Sequence, residues 1–249
     1  MMKIGHRGSP GNPRIGENTI RSFKRALKLG ANSIEFDVRR CKDDIVVFHD
    51  ETLARVTNGK RIDEIRSLYY EEINMACLSH EVLAGIMDIP RLSTTLSTFG
   101  KKCFLHIELK EQGLTDDVKA KICTLGTQNS VCVSAFDFGD KDAGDVSETS
   151  WNDVSRVGPE IHFALIASRK KAEYLGPKFF TQIATDLGAY AIHVRQQGIT
   201  GQLVRCAHNA GLLVNAFVAN EQKDIVRLVN LGVDGIMSDF PERLWWIKQ

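Results

Sequence analysis

The sequence predicts an α/β protein, a closed (β/α)8 barrel of parallel strands. Strand-like runs alternate with helix-like stretches along most of the chain, the pattern of parallel strands joined by helical crossovers. Eight such runs lie near residues 2–6, 32–38, 103–109, 130–135, 161–166, 189–194, 212–218 and 233–237. Closure into a barrel suits this count, and the length of 249 residues, better than an open sheet does.

The first run ends at His6 and Arg7, and the glycines and proline that follow suit a tight loop. "TIRSFKRALKLG" then sets Ile20, Phe23, Ala26 and Leu27 on one helical side, with Gly30 as the stop. In "NSIEFDVRR", Ile34, Phe36 and Val38 alternate with Glu35 and Asp37, a strand of period two. "DIVVFHDE" predicts an extra strand in a hairpin with it, with His49 at its end. Residues 52–100 hold no good barrel strand. Within them "RIDEIRSLYYEEINMACL" reads as helical, and the excursion is expected to cover the barrel mouth and to close with the helix "PRLSTTLSTFG". In "CFLHIELK", Leu105, Ile107 and Leu109 form one face and His106, Glu108 and Lys110 the other. "GQLVRCAHNAG" and "EQKDIVRLVNLG" repeat the helix design, stopping at Gly211 and Gly232. No Pro/Gly/Ser-rich linker divides the chain, so residues 1–249 are expected to form one barrel with an insertion at about 52–100.

Composition is that of a soluble globular protein, 43% hydrophobic and 25% charged. A net charge of +1 provides no broad field for nucleic acid or anionic membrane, so any anion has to be met by a local site. The cysteines (Cys41, Cys77, Cys103, Cys123, Cys132 and Cys206) are scattered without CxxC spacing, and several lie in apolar runs. That usage indicates a reducing compartment. The start has no apolar secretory segment, and the longest apolar runs are too short to span a bilayer. A cytoplasmic protein acting on a small molecule is expected.

In a barrel of this kind, sites form at the C-terminal ends of the strands. Glu35, Asp37 and Glu108 all fall late in their strands and converge on one mouth. Three crowded carboxylates repel unless they bind protons or a cation. An oxygen-only set favours Mg2+ or Ca2+, and the lack of His/Cys ligand spacing argues against zinc. Neutralisation by Lys110 alone is the plainer alternative. His6 and His49 at strand ends form a candidate acid–base pair. Arg7 and Lys110 are candidate anion holders. A cation, two histidines, an arginine and a lysine together describe phosphoryl-ester cleavage.

"HRG" at 6–8, "ENT" at 17–19, "IEFDV" at 34–38, "HDETLARVT" at 49–57, "IELK" at 107–110 and "GVDGIMSDFP" at 232–241 follow one another in the order and spacing of a known family. The chain resembles the glycerophosphodiester phosphodiesterases, in their bacterial cytosolic form. The resemblance implies a (β/α)8 TIM barrel with a small insertion after the second strand's hairpin. It implies cation-dependent hydrolysis of glycerophosphodiesters, such as glycerophosphocholine or glycerophosphoethanolamine, to glycerol 3-phosphate and an alcohol. It also implies His6 and His49 as catalytic residues, Glu35, Asp37 and Glu108 as metal ligands, Arg7 and Lys110 as phosphate contacts, and Glu17 as a supporting loop residue. For Glu17, a charge at a helix N-terminus is the other reading.

The chain departs from the family pattern at Gly16, where proline is usual, at Phe217-Val218-Ala219-Asn220 and at "SDFP". These departures are expected to bear on the alcohol pocket rather than on the chemistry. The resemblance leaves open which histidine is acid and which base, and whether water or the glycerol 2-hydroxyl attacks first. A lysophospholipase D-like or sugar-phosphodiester activity would use the same residues. The former needs an apolar groove, for which Leu68, Tyr69 and Tyr70 are candidates against a buried helix face. A non-catalytic binding barrel is the remaining alternative. His106 reads as core filling below Glu108, and His80, His162, His193 and His208 read as structural. Trp245 and Trp246 are expected to pack the last helix on the barrel, with a homodimer patch as the other reading.

Overall fold

The structure is a computed structural model that describes residues 1–11, 15–78, 88–140 and 150–247. The strands are β1 (Met2–His6), β2 (Ser33–Arg40), β3 (Ile45–Val47), β4 (Phe104–Leu109), β5 (Val131–Phe136), β6 (His162–Ala167), β7 (Ala191–Arg195), β8 (Leu213–Phe217) and β9 (Gly235–Ser238). The helices are α1 (Ile20–Lys28), α2 (Tyr70–Leu78), α3 (Leu92–Phe99), α4 (Thr115–Thr124), α5 (Trp151–Val154), α6 (Arg169–Leu187), α7 (Gly201–Asn209) and α8 (Gln222–Leu231). β1 pairs in parallel with both β2 and β9, which closes the ring and makes the (β/α)8 barrel. β3 lies outside the ring. It pairs antiparallel with β2 from Val38 to Arg40, beyond Glu35, where the β1–β2 register ends. β2 therefore outruns its neighbour, and its late residues stand at the mouth.

The period-two pattern sorts the strand side chains into two packed regions. Ile34, Phe36, Val38, Leu105, Ile107 and Leu109 are fully buried between the sheet and the helices. Phe23 of α1 packs against Phe36 at 5.6 Å and edge-on against Phe99 of α3 at 5.7 Å. Full burial of a side chain of this size stabilises the fold by about 1.5–3 kcal/mol. Inside the ring, Ile4, Phe136, Ile166, Phe217 and Met237 form a second cluster. Phe36 thus anchors β2 outward, and Glu35 and Asp37 on either side of it must face inward. α1 starts where Thr19 Oγ1 accepts from Ser22 N at 3.1 Å. α8 stops at Gly232, whose left-handed backbone lets its N–H reach the last carbonyls.

The insertion differs from one long helix. Residues 65–67 form a 3-10 turn, and α2 begins only at Tyr70. Before that turn the chain is extended, because Thr52 bridges Glu64 and Ile65 N donates to Glu51 O at 2.9 Å. Phe48, Leu53, Ile65, Ile73 and Ile89 give this segment its own small core, whereas α3 buries Leu92, Leu96 and Phe99 with the barrel. His80 and the Gly- and Asp-rich stretch after Gly139 lie largely or wholly outside the described residues. His162 stacks on Tyr190 at 4.0 Å, and His208 Nε2 lies 2.9 Å from Asp234.

The expectation for the tryptophans needs correcting. The last element, Pro241–Leu244, is a 3-10 turn rather than an α-helix, and Trp245 is 74% exposed while Trp246 packs on the core. Among the described residues, no helix is long and apolar enough to cross a membrane.

Candidate active site

The first loop turns sharply. Arg7 (φ 51°) and Gly8 (φ 88°) both adopt left-handed backbone. A Cβ at Gly8 would meet Ser22 side-chain and backbone atoms, the latter at 2.7 Å, so the close approach of this loop to α1 requires glycine. The turn aims Arg7 three ways. Its backbone N donates to Glu35 Oε2 at 2.9 Å, its Nε lies 3.3 Å from Asp37 Oδ2, and its Nη1 donates to Glu17 Oε1 at 3.0 Å.

Glu35, Asp37 and Glu108 each offer a carboxylate oxygen within 4.8 Å of the others. Register explains the meeting, since Asp37 on β2 stands beside Glu108 on β4. Lys110 Nζ reaches both, at 3.2 Å from Asp37 Oδ1 and 2.5 Å from Glu108 Oε1. Asn18 Nδ2 donates to Asp37 Oδ2 at 2.8 Å. Burial and the charges of Asp37 and Glu108 push Glu35 well above the usual carboxylate range. Burial also acts to raise Asp37, but Lys110 and Arg7 outweigh it and hold that carboxyl well below. Burial opposes the charges of Arg7 and Lys110, and the surrounding acids more than offset it in both. Neutralisation by Lys110 alone therefore covers Asp37 and Glu108 but not Glu35, whose Oε1 is buried without a hydrogen-bond partner among the described residues. A crowded, buried carboxyl with an orphaned oxygen in an all-oxygen cluster fits a hard cation.

Each histidine is oriented by its own carboxylate. His6 Nδ1 lies 2.7 Å from Asp239 Oδ1, and its Nε2 lies 3.9 Å from Glu35 Oε2. His49 sits two residues beyond β3, in the loop. Its Nδ1 lies 2.6 Å from Asp50 Oδ1, and Arg39 Nε donates to its carbonyl at 2.7 Å. An ionised carboxylate only accepts, so Nδ1 carries the proton in both rings.

The structure brings together all eight residues singled out in the sequence: His6, Arg7, Glu17, Glu35, Asp37, His49, Glu108 and Lys110. Glu17 bonds Arg7 and Arg55, and it is Thr19 that caps α1. Burial would raise the Glu17 carboxyl, but Arg7 and Arg55 hold it low. Sequence reasoning missed Asn18, Asp50, Arg55, Asn220 and Asp239. Arg55 joins Asp50 to Glu17, with Nε 2.5 Å from Asp50 Oδ2 and Nη2 2.7 Å from Glu17 Oε1. Asn220 Nδ2 donates to Asp239 Oδ2 at 2.7 Å. Asp239 holds His6 and Asn220 holds Asp239; both residues match the family pattern, and the departures beside them lie at Phe217, Val218, Ala219, Ser238 and Phe240. The signal was available in the motif words "ENT", "HDETLARVT" and "SDFP". Beside His6 and Arg7 opens a cavity of about 260 Å³ walled by Pro10, Gly11, Asp239 and Phe240.

The chain is similar to known proteins in sequence and in fold. The family model of the glycerophosphoryl diester phosphodiesterases matches residues 6–243. The chain is 31% identical to a glycerophosphodiester phosphodiesterase of Bacillus altitudinis, covering 100% of this chain and 99% of that one. It is 31% identical to one of Caldanaerobacter subterraneus subsp. tengcongensis, covering 97% and 95%. Among solved structures, a phosphodiesterase of Oleispira antarctica in complex with the product sn-glycerol-3-phosphate superposes with a TM-score of 0.72 at 24% identity, covering 97% of this chain and 94% of that one.

Proposed function

From a chain that belongs to the glycerophosphoryl diester phosphodiesterase family and is an enzyme of that activity, we propose a specific reaction: hydrolysis of small, water-soluble glycerophosphodiesters to glycerol 3-phosphate and an alcohol, with Mg2+ or Ca2+. Glu35, Asp37 and Glu108 would hold the cation, which supplies Lewis-acid charge to a non-bridging phosphate oxygen. Arg7 and Lys110 bind the phosphate's remaining negative charge. His6 and His49 move the protons through Nε2. One takes the proton of the attacking oxygen as the new P–O bond forms. The other gives a proton to the alcohol oxygen as the old P–O bond breaks. Asp239 and Asp50 hold the Nδ1–H of the two rings, so that Nε2 accepts the proton in the neutral ring acting as base and gives it up from the imidazolium acting as acid.

The observation that carries the reading is the pairing of each histidine Nδ1 with its own carboxylate, beside a three-acid cluster flanked by Arg7 and Lys110. The same mouth supports a polar substrate. The cavity at His6 is small and carries His6, Arg7, Glu17 and Asp239 on its wall, and Leu68 is buried in the insertion's core rather than lining a groove. Tyr70 is held by a hydrogen bond to Ile89 O and by Arg91 over its ring. The free thiols of Cys41, Cys77, Cys103, Cys123, Cys132 and Cys206 support a reducing, cytoplasmic location. A panel of glycerophosphocholine, glycerophosphoethanolamine and lysophosphatidylcholine tests the substrate class. Turnover of the first two well above the third is expected. Preference for the lysolipid would overturn the substrate assignment while leaving the reaction class intact.

A further inference from the structure

A second group of ligating side chains lies inside the barrel. His106 of β4, Cys132 of β5 and His193 of β7 each offer a ligand atom within 4.8 Å of the others. All three are at most 1% exposed. Their strands bring them together across the barrel: Cys132 is the register partner of His106, and His193 faces inward two strands further round. The two imidazole rings meet edge-on at 5.4 Å. His106 precedes Glu108 by two residues, so this group sits one side-chain layer below the acid cluster.

Among the described residues, most of these polar atoms have no protein hydrogen-bond partner, and the Cys132 thiol has only a long 4.0 Å contact to Val133 O. Both ring nitrogens of His106 and the Nε2 of His193 are buried without a hydrogen bond. So are both amide atoms of Asn215, the register partner of His193 on β8. An unsatisfied buried polar group costs about 1–3 kcal/mol, so several in one layer are a heavy penalty unless something else meets them. The donor set differs from the mouth's. Two imidazoles and a thiol are soft and borderline ligands, which select zinc-like ions over Mg2+ or Ca2+. Zn–N and Zn–S lengths imply ligand separations of about 3.3–3.7 Å at tetrahedral angles, which fall inside the 4.8 Å that bounds the three ligand atoms here. Three protein ligands with Asn215 beside them match the coordination number of such an ion.

We propose that His106, Cys132 and His193 form a buried binding site for a zinc-like divalent transition metal, separate from the carboxylate site at the mouth. The site does not depend on the reading of the mouth. Because it is closed to solvent, the ion enters as the chain folds, with loss of the Cys132 thiol proton to solvent as the metal–sulfur bond forms.

The test is refolding of the full chain from denaturant with Co2+ as the probe, followed by absorption spectroscopy and elemental analysis after EDTA treatment. The expected result is about one EDTA-resistant Co2+ per chain with a thiolate-to-cobalt charge-transfer band. Cys132→Ser should lose the band, His193→Gln should lose the retained cobalt, and Glu35→Gln should keep both. A second route, growth in Zn2+-supplemented medium with elemental analysis of the native protein, covers a failure of any chain to refold. Native protein with no retained zinc or cobalt, or a cobalt signal unchanged by Cys132→Ser, would overturn the proposal and leave water as the partner of this layer.

Discussion

At the scale of single residues, the site assigns different tasks to neighbouring groups of like chemistry. His6→Ala and His49→Ala should each lower turnover about 10²–10⁴-fold with the fold retained, as general acid–base groups do. Near-normal turnover in both, measured beside a circular dichroism spectrum, would remove them from the mechanism. Asp239 lies 2.7 Å from His6 Nδ1, and its proposed part is to position that ring. Asp239→Asn presents an amide that can donate to Nδ1 and so favours the wrong tautomer. It should lower kcat about 10–10³-fold with a smaller change in KM. Asp239→Glu should recover part of the loss, which a merely structural role would not show. Glu35 separates stability from function. Its carboxyl is buried, crowded by Asp37 and Glu108, and pushed above its ordinary range. Glu35→Gln should therefore raise the thermal midpoint of the EDTA-treated protein while abolishing the cation's own stabilising shift. A lower midpoint in EDTA would mean that the cluster is satisfied without a cation.

Elements explain why these residues meet, and also where the sequence misled. The alternation in β2 and β4 was enough to predict which side chains face inward. Phe36 is the outward anchor between Glu35 and Asp37, packed on Phe23. Phe36→Ala should cost about 3–5 kcal/mol, read as a lowered urea midpoint, because the cavity opens against α1 and α3. The loops were harder to read. Asn18 and Asp50 each lie next to a residue already singled out, yet their roles depend on which strand end a loop crosses, and periodicity carries no such information. The Asp50–Arg55–Glu17 chain ties the insertion to the first loop. Burial acts to raise Asp50, but the hydrogen bonds from His49 and Arg55 hold its carboxyl well below the usual range. Its unfolded value is near 3.9. A depressed folded value means the contribution is complete above about pH 4 and is lost as pH falls below it. Asp50→Asn should lower stability by about 1–2 kcal/mol at neutral pH, a figure kept small because Arg55 is half exposed, and should flatten the decline between about pH 4 and 2. Urea midpoints at several pH values measure both effects. An unchanged acid slope would show that the network does not link insertion and loop.

For the whole molecule, the barrel was legible because eight short strands with apolar outer faces have few other ways to be buried. The mouth was legible in part for the same reason, since strand-end residues converge in any barrel. The group at His106, Cys132 and His193 was not legible. Its members are far apart in sequence and come from β4, β5 and β7, so no ligand spacing appears along the chain. That is also why the absence of linear His/Cys spacing speaks only about local zinc motifs. Closure of the ring gathers the three acids, Arg7, Lys110 and His6 at one mouth, where we propose that a glycerophosphodiester is hydrolysed with a bound divalent cation. The direct measurement is release of glycerol 3-phosphate from glycerophosphocholine by EDTA-treated protein, assayed with Mg2+, with Ca2+ and without metal. No release is expected without metal, and restored release is expected with at least one of the two cations. Full release by the metal-free protein, or none with either cation from well-folded chain, would contradict the proposal.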